Sequence, residues 1–161
     1  MGTIHSQRCV TRLERAELWA SRIRMVQSQG MAEVAREAVK RWFTNAFQID
    51  HPDTVADWQK RVSNTTLEGY VGIARSIQRM DLRFFFSWIE CLICVVSGEL
   101  DSATRPGADQ EIVDLVHGAS LRILSGASHL WPLESAQRLN SEMRDWLLGA
   151  DNPGYRDFNN S

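Results

Sequence analysis

An α/β fold is what this sequence predicts: a helical first half, then a strand, helix, strand and helix of a parallel sheet. Three observations carry that expectation. Apolar residues recur every three or four positions as far as Met80, two short apolar runs follow it, and each of those runs is succeeded by a segment of helical period.

The elements follow in order. Over residues 11–29 the apolar positions Leu13, Ala16, Ala20, Ile23 and Val26 share one face, with Thr11 as the N-cap and Gly30 as the stop. A second amphipathic helix spans 31–43, where Val34, Ala35, Ala38, Val39 and Trp42 line up ahead of the polar turn Asp50-His51-Pro52-Asp53. Asp53 is placed to cap a third helix carrying Val55, Trp58 and Val62. Thr66 or Thr65 opens a fourth, with Tyr70, Ile73, Ala74 and Ile77 aligned. Its Gly69 and Gly72 each cost about 1 kcal/mol relative to Ala, which close packing would explain. Residues 91–96 are continuously apolar and end at Ser97-Gly98, the pattern of a strand buried on both faces of a parallel sheet. Residues 108–116 read as a short helix and 120–124 as a second strand. Residues 132–148 form a last helix with Leu133, Ala136, Leu139, Met143 and Trp146 or Leu147 inward. The segment 149–161 is rich in Asn, Asp and Gly and is expected to fray. Two parallel strands and one crossover helix cannot cover both faces and both edges of so apolar a sheet, so further strands are expected upstream.

Composition narrows the function classes. The chain is 43% hydrophobic and 24% charged, ordinary for a globular domain. Its net charge is −2 with no block of like charge, which argues against a nucleic-acid partner. The apolar runs at 84–89 and 91–96 fall far short of the roughly 20 residues that cross a bilayer, so no membrane role is expected. Residues 1–6 carry no apolar stretch behind a basic one, and a cytoplasmic address is expected by default. Of the three cysteines, Cys91 and Cys94 read as small buried hydrophobes. His51 and His117 have no partners at metal-ligand spacing.

Two stretches can carry chemistry. Asp101 in Ser97-Gly98-Glu99-Leu100-Asp101 and His129 in Gly126-Ala127-Ser128-His129 each lie just past the C-terminal end of an expected parallel strand, where open α/β sheets place their catalytic groups. Taken singly, Asp101 also fits a turn residue that bonds its own loop. Together the two resemble the α/β-hydrolase family, whose acid lies in a Gly-x-x-Asp turn followed by a proline, here Pro106, and whose histidine follows a small-residue turn after the last strand. Glu134 matches an acidic residue often found at the start of that family's final helix. The stretches Gln29-Gly30-Met31, Arg41-Trp42-Phe43-Thr44 and Glu68-Gly69-Tyr70 resemble the helical cap of the 3-oxoadipate enol-lactonase branch, which extends the likeness over residues 16–148.

The resemblance implies a partial α/β-hydrolase fold: an N-terminal segment 1–15, a helical cap 16–80, the C-terminal part of the core at 81–148 and a flexible tail 149–161. It implies a lactone or carboxylic-ester hydrolase in which Asp101 orients His129, His129 is general base and acid, and Trp42 contributes to the substrate pocket. No cofactor or metal is implied. One departure stands out, because no G-x-S-x-G nucleophile elbow occurs anywhere in the 161 residues. The expectation is therefore a chain inactive alone, which pairs with an N-terminal hydrolase fragment or self-associates. The alternatives are a subunit of a split hydrolase and a non-catalytic helical interaction module.

Overall fold

The computed structural model describes residues 12–104 and 106–148. The expected Thr11 cap, the segment 1–11 and the tail 149–161 lie outside them. Helix α1 (Arg12–Gln29) ends where the Gly30 amide bonds the Val26 carbonyl, and α2 (Met31–Trp42) starts at once. Ile23 and Val26 of α1 and Val34, Ala35, Ala38 and Val39 of α2 are buried, as their spacing predicts.

A short helix, α3 (Asn45–Asp50), occupies what reads in sequence as a plain connection; the Thr44 hydroxyl caps it by accepting from the Phe47 amide. Helix α4 (Pro52–Ser63) begins at Pro52, so Asp53 lies inside the first turn instead of capping it. Proline suits that position because its missing N–H would have no intrahelical partner there. Helix α5 (Leu67–Arg79) is capped by Thr66, whose hydroxyl accepts from the Gly69 amide. Its two glycines do not mark close helix packing: a Cβ at Gly72 would meet nothing within 4 Å, and one at Gly69 would meet only the capping hydroxyl. Ala74 is buried but Ile73 is exposed. Helix α2 packs on α4, and α1 packs on α5 and α2.

A single turn, α6 (Arg83–Phe86), leads to the sheet. Strand β1 (Cys94–Gly98) pairs in parallel with β2 (Ser120–Leu124), from Cys94 opposite Ser120 to Gly98 opposite Leu124. β2 falls where the sequence predicts it, whereas β1 starts three residues later than the apolar run. Pairing sets its limits: the ladder is as long as β2, and Leu92 and Ile93 precede it. Cys91 is accordingly exposed and Cys94 half-buried, not buried hydrophobes. Cys94, Val95 and Val96 are also only half-buried, because no third strand flanks the pair among the described residues.

Between the strands, α7 (Pro106–Leu115) packs on both. The last expected helix is two: α8 (Trp131–Glu134) and α9 (Ala136–Leu148), separated at Ser135, where the backbone is extended enough to interrupt the helix. Trp131 is buried with Leu124 and Ala127, and Leu139 and Val96 pack against them. Leu139 thus faces inward as expected, while Leu133, Ala136, Met143 and Leu147 are exposed. No described helix is long and apolar enough to cross a membrane.

Candidate active site

The parallel register puts the C-terminal ends of β1 and β2 side by side, and the loops that leave them are bonded to each other. The Glu99 amide donates to the Leu124 carbonyl at 3.0 Å and the Leu100 amide to the Ala127 carbonyl at 2.8 Å. Below this junction the Glu99 carboxylate accepts from the Ser125 hydroxyl at 2.7 Å and the Gly126 amide at 2.9 Å, which holds its pKa below the ordinary glutamate value. Two glycines make the crossing possible. At Gly98 a Cβ would lie 2.5 Å from the carbonyl oxygens of both Ala127 and Ser128, so any side chain would push the loops apart. Gly126 turns with a φ of 70°, a backbone region that favours glycine.

The two loops carry Asp101 and His129, and His129 Nδ1 lies 2.9 Å from Asp101 Oδ2. Asp101 is fixed by its own turn: its Oδ1 accepts from the Ala103 amide at 2.7 Å and the Thr104 amide at 2.8 Å. The Thr104 hydroxyl donates to Oδ2 at 2.7 Å and presents its own lone pair to His129 Nδ1 at 3.0 Å. Burial is the largest influence on Asp101 and pushes its pKa up. The bonds from His129, Thr104 and Ala103 together outweigh it and hold the carboxyl below the usual aspartate value. An ionised Asp101 accepts only, so the arrangement favours the tautomer with the proton on Nδ1 and leaves Nε2 free to take a proton. Asp109 on α7 differs: burial pushes its carboxyl up, the Ser97 hydroxyl and His129 pull it down, and the negative charge of Asp101 adds to the rise.

Trp42, at the end of α2, has its ring centroid 6.4 Å from that of His129, tilted by 33°. The structure therefore brings all three sequence-predicted site residues together. It adds Thr104, whose signal in the sequence is no more than a hydroxyl three residues beyond an aspartate, and it shows that Glu134, already marked by the resemblance, reaches back to the helical layer at Thr44. No group of three His, Cys, Asp or Glu side chains able to hold a metal occurs among the described residues.

No protein-family model matches the chain. It is 28% identical over 125 residues to 3-oxoadipate enol-lactonase 2 of Acinetobacter baylyi, an alignment that covers 78% of this chain and 46% of that protein. Against 3-oxoadipate enol-lactonase 1 of the same organism the identity is 20% over 120 residues, with 74% and 45% covered. The crystal structure of the enol-lactonase from Burkholderia xenovorans superposes with a TM-score of 0.73 at 29% identity, over 80% of this chain and 49% of that one. A hydrolase from Pseudomonas aeruginosa gives 0.67 at 25% identity, over 81% and 49%. The chain thus spans about half the length of the relatives it matches. With an acid and a histidine following adjacent parallel strands beside a helical layer, these likenesses show that the chain has part of an α/β-hydrolase fold, similar over this span to enol-lactonases.

Proposed function

We propose that this chain supplies the acid and base of a lactone or carboxylic-ester hydrolase resembling 3-oxoadipate enol-lactonase. The 2.9 Å bond between His129 Nδ1 and Asp101 Oδ2, formed across the ends of two parallel strands, is the observation that carries the reading. In the reaction, Nε2 of His129 takes the proton of a serine hydroxyl as that oxygen attacks the acyl carbon, and then gives it to the leaving alkoxide. Asp101 holds the tautomer and stabilises the imidazolium that forms. Trp42 lines the acyl side of the pocket beside His129, and the helical layer excludes water from it.

The serine and its oxyanion hole come from outside these 161 residues, since the sequence contains no G-x-S-x-G elbow. What brings them is a strand-bearing partner segment that covers the exposed apolar surface. Phe84 and Trp88, in and after the turn α6 that packs on α7, are 68% and 65% exposed, and Ile123 of β2 is exposed as well. Without that segment the same surface drives self-association, and the chain alone turns over no ester or lactone.

Complementation tests the reading. The strands and serine elbow of a related enol-lactonase, supplied as a separate polypeptide, should restore hydrolysis of an enol-lactone or activated aryl ester. His129→Ala should abolish it and Asp101→Asn should cut it by a factor on the order of 10⁴, the loss that the wrong imidazole tautomer causes in a serine protease. A soluble, active complex indifferent to His129→Ala would overturn the assignment.

A further inference from the structure

We infer that Glu134 is a positioning residue: its carboxylate latches the junction of α2 and α3 at Thr44 to the turn that carries His129, so that the imidazole is held for acid–base work only while the helical layer is seated. The inference rests on the role proposed for His129 and extends it to a residue that touches no reacting atom.

The last carbonyls of a helix have no intrahelical partner and must find one elsewhere. At the end of α2 the partners come from the histidine turn. The Trp42 carbonyl accepts from the Leu130 amide at 2.8 Å and lies 2.7 Å from the Ser128 hydroxyl oxygen. The residues immediately before and after His129 are therefore both anchored to one atom of the helical layer. Glu134 closes the same unit from the other side. Its Oε1 accepts from the Thr44 amide at 2.6 Å and lies 2.8 Å from the Ser128 oxygen.

The Ser128 hydroxyl has one proton and serves either acceptor, so it bridges Trp42 and Glu134 inside a turn where it is only 2% exposed. A hydrogen bond to a charged acceptor is stronger than one to a neutral acceptor, and the Thr44 bond is of the charged kind. These contacts span 90 residues of sequence, from Thr44 to Glu134. They are separate from the bonds that the Asp101 carboxylate accepts, which among the described residues come from Ala103, Thr104 and His129. His129 is thus held from two directions: by Asp101 through its ring and by Glu134 through the neighbouring Ser128. Displacing Trp42 and Thr44 releases the second hold, and the turn is then free to carry the imidazole away from Asp101.

The test reads the turn and the ring separately in the full-length chain. NMR of a ¹⁵N-labelled sample should show the Thr44 amide protected from hydrogen exchange and the His129 ring predominantly in the Nδ1–H form. In Glu134→Ala the Thr44 amide should exchange at least about tenfold faster, as the loss of a charged acceptor implies, and His129 should become a mixture of tautomers. Glu134→Gln should retain both features, because its amide oxygen still accepts.

A Glu134→Ala chain that melts earlier but keeps the His129 tautomer would overturn the inference, since Glu134 would then serve stability alone. If Glu134→Ala does not fold, the wild type and Ser128→Ala decide: a Thr44 amide exchanging at the unprotected rate in the wild type, or a ring unaffected by Ser128→Ala, overturns it equally. An intact latch in a reconstituted complex indifferent to His129→Ala would instead refute the proposed function and leave the latch standing.

Discussion

Replacing Gly98 by Ala perturbs a point where the loops that carry Asp101 and His129 cross with no room to spare. The added Cβ would stand 2.5 Å from two backbone carbonyl oxygens, those of Ala127 and Ser128, and ordinary contact begins near 3.4 Å, so the loops must part by roughly 0.9 Å. Neither obstacle is the end of a flexible side chain. The strand side is held by five paired residues, which leaves the histidine turn to move. Overpacking of this kind costs about 1–3 kcal/mol, and each kcal/mol lowers the melting temperature of a chain this size by roughly 2–4 °C. The site should suffer more than the fold, because a displacement near 1 Å can cost about 10²-fold in rate. Circular dichroism melting measures the first effect; the second is read from the His129 Nδ1 proton by NMR and from turnover in the complemented enzyme. A Gly98→Ala chain with wild-type melting and an unchanged His129–Asp101 proton would show that the loops do not cross as tightly as the structure places them.

Two further outcomes are expected. Asp101 is held below its ordinary value of 3.8, so its contribution to stability is present above that pH and is lost as pH falls through the lower folded value. Thermal melts between pH 6 and 2 should therefore drop more steeply below pH 4 for the wild type than for Asp101→Asn. Asp109, held above 3.8, works in the opposite direction, which makes the difference between the two chains the readout; parallel curves would mean that the Asp101 bonds contribute nothing. Trp42→Ala, in the complemented enzyme, should raise KM several-fold more than it lowers kcat, because the ring stands 6.4 Å from the imidazole and on the proposed function lines the pocket without joining the proton path. A loss confined to kcat would assign Trp42 to the chemical step.

The sequence made the helical layer legible because its apolar spacing is strict: Val34, Ala35, Ala38 and Val39 are buried where a 3.6-residue period puts them. Strand β2 was equally plain. The limits of β1 differ from the apolar run because such a run reports burial whereas strand limits report pairing, and Gly98 is a glycine for a reason no single sequence displays: the histidine turn crosses over it. The break at Ser135 and the single turns α3 and α6 were also hidden, since four to six residues are too few for a period to register. Asp101 and His129 could be found by their place after strands. Thr104 and Glu134 could not be assigned their partners, because their function lies in contacts of 25 and 90 residues' separation.

Those long contacts bear on what the chain can do before any partner arrives. Two strands alone make a weak sheet, and a site built only on strand ends would loosen with them. Here the acid and the histidine depend little on the rest of the sheet. Asp101 is fixed by its own loop, the two loops are joined by the Leu100–Ala127 and Glu99–Gly126 bonds, and the histidine turn is tied to the end of α2 through Trp42 and to the start of α3 through Thr44. None of these bonds uses a residue outside the chain. The Asp101–His129 geometry is therefore held within these residues, and on the proposed function what a completing segment contributes is confined to the nucleophile, the oxyanion donors and a cover for the exposed apolar residues.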